Sequence, residues 1–255
     1  MADRDTLRIA AVADIHVKKT SAGAMQPLFA KITESADVLL LCGDLTDYGL
    51  PDEANMVVED LMHCTIPVLA VFGNHDYESA RQEEVRTILE HAKVTVLDGD
   101  STEIHGVGFA GVCGFGGGFG RRMLNAWGEP AIKQFVQEAV DQAMRLERAL
   151  ARLNTTSKIV LLHYAPVRDT VMGEDPEIFP FMGSTRLEGP LNRYSVTACF
   201  HGHAHGGAHE GKTSSGVPVY NVAAPVLKKR HPERLPLYFL EVKTTAPGEA
   251  LAVVV

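Results

Sequence analysis

The feature that most constrains this chain is a regular alternation of short apolar segments with longer amphipathic ones over its first ninety residues. The predicted strands cover 7–13, 38–42 and 68–72, and the predicted helices cover 25–36, 52–64 with Asp52 as its N-cap, and 80–91. This order predicts a parallel β-sheet with helices on its faces. The apolar segments alternate little with polar residues, which is typical of strands that are buried on both faces.

Short strand-like segments follow this stretch, and the part of the chain after Ser157 is predicted to be rich in strands with little helix. Strands are expected at 94–97, 103–105, 107–112, 159–162, 198–200, 217–222, 237–242 and 251–255. A glycine-rich loop at 114–120 leads to the longest helix, 130–153, whose apolar stripe begins at Ile132 and predicts core packing. Residues 166–192 are expected to be irregular. Since no linker or repeat divides the chain, we expect one domain over 1–255.

Polar residues that can bind metals follow the apolar segments repeatedly. They are Asp14 and His16, then Asp44, then Asn74, His75 and Asp76, then His163, and last His203 and His205. Ligands of open α/β sheets bind at the carboxyl ends of strands, so these five strand ends are expected to converge. In an extended backbone, residues two apart point to the same side. Each pair, Asp14 with His16 and His203 with His205, is therefore expected to approach one metal together.

Glycines precede three of these residues, and a simpler explanation of the polar residues competes with metal binding. Gly43, Gly73 and Gly202 permit unusual backbone angles and close approach of the chain. A single Asp after a strand is usually a turn residue, and a single His is usually a hydrogen-bonded core residue. We adopt that explanation for the five scattered histidines 63, 91, 105, 209 and 231. For the clustered set it would have to hold separately at five strand ends, so metal binding is favoured.

Charge and cysteine content limit the partners and the compartment. The chain carries a net charge of −8 and no long basic run, which disfavours long nucleic acids as partners. Its four cysteines show no CxxC spacing, which favours a reducing compartment over a disulfide scaffold. The first residues lack the apolar core of a signal peptide, and no apolar run is long enough to span a bilayer. We therefore expect a cytoplasmic protein that does not enter the membrane.

The polar residues form an ordered set of blocks: Asp14-x-His16, Gly43-Asp44-x-x-Asp47, Gly73-Asn74-His75-Asp76, His163 and Gly202-His203-x-His205. This ordered set resembles the calcineurin-like metallophosphoesterase superfamily. The resemblance implies an α/β fold in four αββα layers, in which two mixed β-sheets pack face to face between helices.

The resemblance also implies two metal ions and their ligands. By position, Asp14, His16, Asp44 and His205 would hold the first metal. Asp44 would bridge to the second, which Asn74, His163 and His203 would complete. Mixed nitrogen and oxygen donors favour Mn, Fe or Zn over Ca.

A mechanism follows from the same resemblance. Two neighbouring metals activate a hydroxide for in-line attack on phosphorus. The family implies that His75 acts as general acid or stabilises the transition state. Either Asp47 or Asp76 would orient the ring of His75, and the sequence leaves both open.

The blocks also narrow the substrate. Tyr48 and Asp76 stand where protein Ser/Thr phosphatases carry Arg and Glu, which argues against a protein phosphatase. The segment 43–53 is most similar to small bacterial phosphodiesterases related to cyclic-nucleotide enzymes, although Tyr164 stands where those commonly show a second His. We expect a small phosphodiester or phosphomonoester as substrate, with specificity loops near 114–130 and 166–192. A nuclease on short nucleic acid and a metal-binding scaffold without turnover are the alternatives.

Overall fold

A computed structural model of the chain describes residues 5–244. Eleven strands are found in this range: β1 (Thr6–Val12), β2 (Val38–Cys42), β3 (Val68–Val71), β4 (Val94–Val96), β5 (Asp100–Ile104), β6 (Val107–Gly111), β7 (Ser157–Leu161), β8 (Ala198–His201), β9 (Glu210–Lys212), β10 (Pro218–Asn221) and β11 (Tyr238–Lys243). The helices are α1 (Gln26–Ser35), α2 (Pro51–Leu61), α3 (Gln82–His91), α4 (Pro130–Ala151), α5 (Phe179–Met182), α6 (Glu188–Arg193) and α7 (Ala224–Arg230).

The strands form two mixed sheets. The first has the order β11-β1-β2-β3-β4 and the second has the order β5-β6-β7-β8-β10-β9. Strands β1 to β4 run parallel, and β11 pairs antiparallel with β1. In the second sheet β6, β7, β8 and β10 run parallel, and β5 and β9 are antiparallel edges. The parallel sheet predicted from the first ninety residues is therefore confirmed.

Three apolar layers hold the sheets and helices together. Alternate residues of one strand point to opposite faces, so Ile9 contributes to the core between the sheets and Ala10 to the core under α1–α3. Phe109 and Phe200 of the second sheet fill the inter-sheet core opposite Ile9 and Leu40. The opposite face of the second sheet packs against α4 and α6. The chain thus forms the four-layer αββα sandwich.

Several predicted elements differ from the structure. Residues 166–192 contain α5, α6 and three short 3₁₀ turns instead of an irregular segment, and α7 and β9 were not predicted. The predicted strand 251–255 lies outside the described residues. Leu50, not Asp52, is the N-cap of α2, because Pro51 takes its first turn and the Glu53 carboxylate accepts the Leu50 N–H at 3.3 Å. Helix α3 begins after Ala80, whose φ of 55° is incompatible with a right-handed helix.

The apolar stripe of α4 is buried over most of its length but not at its start. Val136, Ala139, Leu146 and Leu150 are buried against the second sheet, whereas Ile132 is 40% exposed. The first turn of α4 is exposed, so helical periodicity alone predicted one core residue too many.

Replacing Phe109 by alanine should destabilise the protein by about 3–5 kcal/mol, since its ring fills the inter-sheet core and leaves a cavity. Ile132→Ala is the control and should change the free energy of unfolding by less than about 0.5 kcal/mol because that side chain is largely exposed. Urea unfolding followed by circular dichroism measures both. Equal losses in the two variants would contradict the assignment of the core.

Candidate metal centre

The predicted site residues gather at one edge of the sandwich, in the loops after the parallel strands. Asp14 and His16 follow β1, Asp44 follows β2, and His75 follows β3, while His163 and His203 follow β7 and β8 of the other sheet. Carboxyl ends of strands from both sheets therefore meet above the inter-sheet core. The predicted convergence of the five strand ends is what the structure shows.

Three groups of side chains place their metal-binding atoms within 4.8 Å of one another. The groups are Asp14 with His16 and His205, Asp44 with His163 and His203, and His16 with Asp44 and His75. Asp44 connects the first two groups, since its Oδ2 lies 3.7 Å from Nε2 of His16 and its Oδ1 lies 3.4 Å from Nε2 of His163. Asn74 joins the second group through its Oδ1, 3.0 Å from Nε2 of His163.

Neighbouring groups orient three of these imidazole rings. Nδ1 of His163 lies 3.1 Å from the carbonyl of Cys42, so Nε2 faces the cluster. Nε2 of His203 lies 3.1 Å from the carbonyl of Phe181, which attaches the segment around α5 to the site. On His16, Nδ1 faces the Asp47 carboxylate at 3.6 Å. A carboxylate or carbonyl on the far nitrogen of a metal-binding His is the usual second layer of such sites.

The backbone at the cluster is strained. Asp14, His16, Asp44 and His203 all have positive φ, at 58°, 42°, 50° and 68°. Such angles cost non-glycine residues free energy and concentrate at functional sites. The extended geometry predicted for Asp14-x-His16 and His203-x-His205 is thus wrong. The left-handed turns still bring Asp14 and His16 into one group, but they place His203 and His205 in different groups.

The three glycines predicted to permit close approach have this role. A Cβ on Gly73 would lie 2.2 Å from Oδ1 of Asp44, and one on Gly202 would lie 2.3 Å from Oδ2 of Asp14. At Gly43, which has a φ of 87°, a Cβ would lie 2.3 Å from the ring of His163. Each glycine therefore makes room for a side chain of the cluster that comes from a different strand.

A main-chain carbonyl orients the ring of His75, because its Nδ1 lies 2.7 Å from the carbonyl of Asp47. The main-chain N–H of His75 donates to Oδ1 of Asp44 at 2.9 Å. The expectation that a carboxylate orients this ring therefore differs from the structure, which uses the peptide of Asp47. The carboxylate of Asp47 lies beside His16 and 3.3 Å from Nζ of Lys18 instead.

Asp76 lies beneath the cluster and joins two of its loops. Its carboxylate is fully buried and accepts hydrogen bonds from the N–H groups of Leu45, Thr46 and Gly73 and from the hydroxyl of Thr46. Burial, together with the charge of Asp44, raises its pKa despite these bonds. Asp76 thus positions the loops after β2 and β3, with no contact to the ring of His75.

Burial and the neighbouring imidazoles shift the pKa values of the carboxylates in the cluster. Burial raises the pKa of Asp44, while His163 opposes and Asp14 reinforces the rise. Burial alone would raise the pKa of Asp14, but the hydrogen bond from His205 and the nearby His163 outweigh burial and lower that pKa. Burial lowers the pKa of His203 to about 3 and also lowers that of His16, so both rings are neutral at pH 7. Neutral imidazoles and carboxylates are the forms that bind metal.

The donor set fits metal ions. Both ring nitrogens of His16 are buried and have no hydrogen-bond partner in the described part of the chain. Buried polar atoms are rarely left unpaired, and buried charges are paired or coordinate metals. A cation between His16, Asp14 and Asp44 would bind Nε2 of His16, which lies 3.7 Å from Oδ2 of Asp44, and would balance the buried carboxylates.

A buried hydrogen-bond network behind the cluster was not predicted. The amide of Asn221 donates to the carbonyl of Ala204 at 2.7 Å and so supports the turn between His203 and His205. His201 is buried, with its Nε2 2.7 Å from the hydroxyl of Thr170. Asn221 and Thr170 lie in segments with no sequence signal of metal binding. Only the tertiary contacts connect them to the site.

This fold and this edge cluster define a two-sheet α/β sandwich of the metal-binding type. The model of the calcineurin-like phosphoesterase family matches residues 7–207, and the chain belongs to that family. Membership supports metal-dependent hydrolysis of phosphoesters as the general activity. Among curated protein sequences, none matches this chain significantly.

Solved structures share the fold at low sequence identity. Phosphopantetheinyl hydrolase from Mycobacterium tuberculosis aligns with a TM-score of 0.64 and 15% identity, over 91% of this chain and 95% of that one. A protein of Thermus thermophilus aligns with a TM-score of 0.57 and 16% identity, over 93% of this chain and 99% of that one. A purple acid phosphatase from yellow lupin seeds aligns with a TM-score of 0.53 and 12% identity, over 89% of this chain and 45% of that one. At these identities the likeness concerns the fold alone.

Gly73→Ala should weaken Mn²⁺ binding by about 10- to 100-fold, because the new methyl group displaces the Asp44 carboxylate as loss of a second-layer contact does. Isothermal titration with Mn²⁺ measures the affinity. Gly189→Ala is the matched control, since a Cβ there meets no atom within 4 Å. Unchanged affinity in Gly73→Ala would show that Asp44 does not hold the metal.

Proposed function

We propose that this protein hydrolyses a small-molecule phosphodiester or phosphomonoester at a dinuclear metal centre. The observation that carries the proposal is the pair of side-chain groups joined by Asp44, each of which offers a carboxylate and at least two imidazoles within 4.8 Å. One isolated group would support a single structural metal. Two groups with one carboxylate, Asp44, between them match the requirement of a two-metal hydrolase.

The proposed ligand set follows the two groups. Asp14, His16, Asp44 and His205 would hold one metal, and Asp44 with Asn74, His163 and His203 would hold the other. Nitrogen and oxygen donors together suit Mn, Fe or Zn. When bound, such a metal pair polarises a phosphoryl oxygen and lowers the pKa of a water molecule.

His75 is proposed to donate the proton to the leaving oxygen. The carbonyl of Asp47 accepts the proton on Nδ1, which leaves Nε2 to exchange a proton with the substrate. The ring packs edge to face on His16 with 4.5 Å between centroids, so it lies at the margin of the cluster. Asp47 would act twice, through its carbonyl on His75 and through its carboxylate on His16.

An aromatic wall beside the second group supports an organic leaving group of modest size. The ring of Tyr164 lies 4.4 Å from that of His203, and Phe115 lies 5.8 Å from Tyr164. Phe135 and Phe181 continue the wall, with the side chain of Phe181 57% exposed. Phe115 belongs to the segment 114–130 and Phe181 to 166–192, the two proposed specificity loops. Tyr164 occupies the place where related phosphodiesterases commonly show a second His.

Asp44→Asn should abolish the Mn²⁺-dependent hydrolysis of p-nitrophenyl phosphate and of bis-p-nitrophenyl phosphate, because the variant loses the charge shared by both metals. Release of p-nitrophenol measures the rate. Asp60→Asn changes a buried carboxylate that bonds only to the main chain of Gly23 and Met25 among the described residues, and it should retain activity. Hydrolysis that persists in Asp44→Asn contradicts the proposal, as does a wild-type protein without turnover.

His75→Gln should lower kcat for phenyl phosphate by about 10²–10⁴-fold, as expected for loss of a general acid. The loss should be smaller for p-nitrophenyl phosphate, whose leaving group needs less protonation. The metal content of the His75→Gln variant, measured by inductively coupled plasma mass spectrometry, should equal that of the wild type. Because His75 also lies within reach of His16 and Asp44, loss of metal in this variant would make it a ligand and refute the role of acid.

A further inference from the structure

A cavity separate from the metal cluster lies at the edge of the first sheet. Its volume is about 500 Å³, and it opens between α1, α7 and the connection into β11. None of its lining residues belongs to the metal cluster: Lys31, His209, Leu227, Arg230, His231, Arg234, Leu235, Leu237, Tyr238 and Phe239. Pockets of about 300–1,000 Å³ are the usual size for small-molecule ligands.

The interior of this cavity is apolar and aromatic. Leu227 and Leu237 form its inner wall, and each packs on one of the two cores that meet at this edge. Tyr238 forms part of the floor and contacts His209 edge to face, with 4.8 Å between centroids. Leu235 and Phe239 are each 44% exposed although they are large apolar side chains. Residues 5–244 therefore leave apolar surface uncovered here that a ligand could cover.

The rim of the cavity is positively charged. Lys31, Arg230 and Arg234 line it, and no Asp or Glu of the described residues does. Glu210 pairs with Arg230 at 3.1 Å and Glu34 pairs with Lys31 at 3.3 Å, which offsets part of this charge. Within residues 5–244, the guanidinium of Arg234 has neither an ion pair nor a hydrogen bond.

From this combination we infer that the cavity binds an amphiphilic anion, a small molecule with an apolar body and one anionic headgroup. The body would lie on Leu227, Leu237 and Phe239, and the headgroup would pair with Arg234 and Arg230. A purely apolar ligand would leave the cationic rim unused, and a small inorganic anion would leave the apolar wall exposed to water. Arginine suits the headgroup because its planar guanidinium binds carboxylate, sulfonate or phosphate oxygens in pairs.

The inference is independent of the proposed phosphoesterase activity. The test uses 8-anilino-1-naphthalenesulfonate, which is fluorescent when bound and carries an aromatic body with one anionic group. N-phenyl-1-naphthylamine has the same body without the charge. Titrations use Mn²⁺-loaded protein without phosphate and are repeated with the Asp44→Asn variant, so that any binding of the sulfonate at the metal cluster is subtracted.

The wild-type protein should bind one equivalent of the sulfonate. Arg234→Gln should weaken this binding about tenfold, as expected for loss of one charge-assisted contact, and should leave binding of the uncharged dye unchanged. Lys228→Gln is the matched control, because Lys228 is an exposed cation on the neighbouring helix α7 that does not line the cavity. Phe239→Ala should weaken the binding of both dyes, because the apolar body that they share would lose its contact with the ring.

Competition identifies the headgroup. Dodecanoate or dodecyl phosphate should displace the sulfonate, and the better competitor assigns a carboxylate or a phosphate ligand. Three results would overturn the inference. They are an affinity unchanged in Arg234→Gln, an equal loss in Lys228→Gln, and displacement by dodecanol as effective as that by dodecanoate. All the variants alter exposed side chains, and thermal unfolding checks that they fold.

Discussion

The structure depends on carboxylates that are held in a nearly water-free place where the edges of two sheets meet. Asp14 is 4% exposed, Asp44 1% and Asp76 0%, and no lysine or arginine reaches Asp14 or Asp44 among the described residues. Burying an unpaired charge of this kind costs on the order of several kcal/mol, unless cations or hydrogen bonds compensate. Asp76 is compensated by three main-chain N–H groups and the Thr46 hydroxyl. Asp14 and Asp44 each accept one main-chain N–H and otherwise face imidazoles that are suited to bind metal. The difference separates a structural carboxylate from two proposed ligands.

The two-sheet core makes this arrangement possible. Phe109, Phe200 and the apolar residues of β1 and β2 hold the strands rigidly, so their carboxyl ends keep a constant spacing. The loops that follow can then adopt left-handed backbone angles at Asp14, His16, Asp44 and His203, because the strands on either side over-determine them. Glycines at 43, 73 and 202 provide the space in which these loops approach one another. The strain and the close approach both occur where the chemistry is proposed.

Prediction from the sequence succeeded where a local pattern reports directly on burial. The uninterrupted apolar residues of β2 are all buried, and the alternation of strands with helices predicted a parallel sheet correctly. It was less successful where contacts distant in sequence decide the conformation. Residues 166–192 fold into short helices because their carbonyls and N–H groups meet the glycine loop, as Gly118 and Gly183 do at 2.8 Å. Ile132 follows the apolar period of α4 but lies in its exposed first turn.

By itself the sequence determined the parallel sheet with its helices and the set of polar residues at the strand ends, because hydrophobic period and order along the chain are local properties. The sandwich of two sheets was implied by the resemblance of the ordered polar blocks to the family. The resemblance already implied different metals for His203 and His205, but only the tertiary structure decided how the rings of the set are held. It made the carbonyl of Asp47, and not a carboxylate, the partner of His75. It also assembled the cavity at β11, with its apolar wall and basic rim, from segments around Lys31, Leu227 and Arg234. These outcomes depend on backbone direction and on which elements pack together, and neither is encoded in the spacing of residues along the chain.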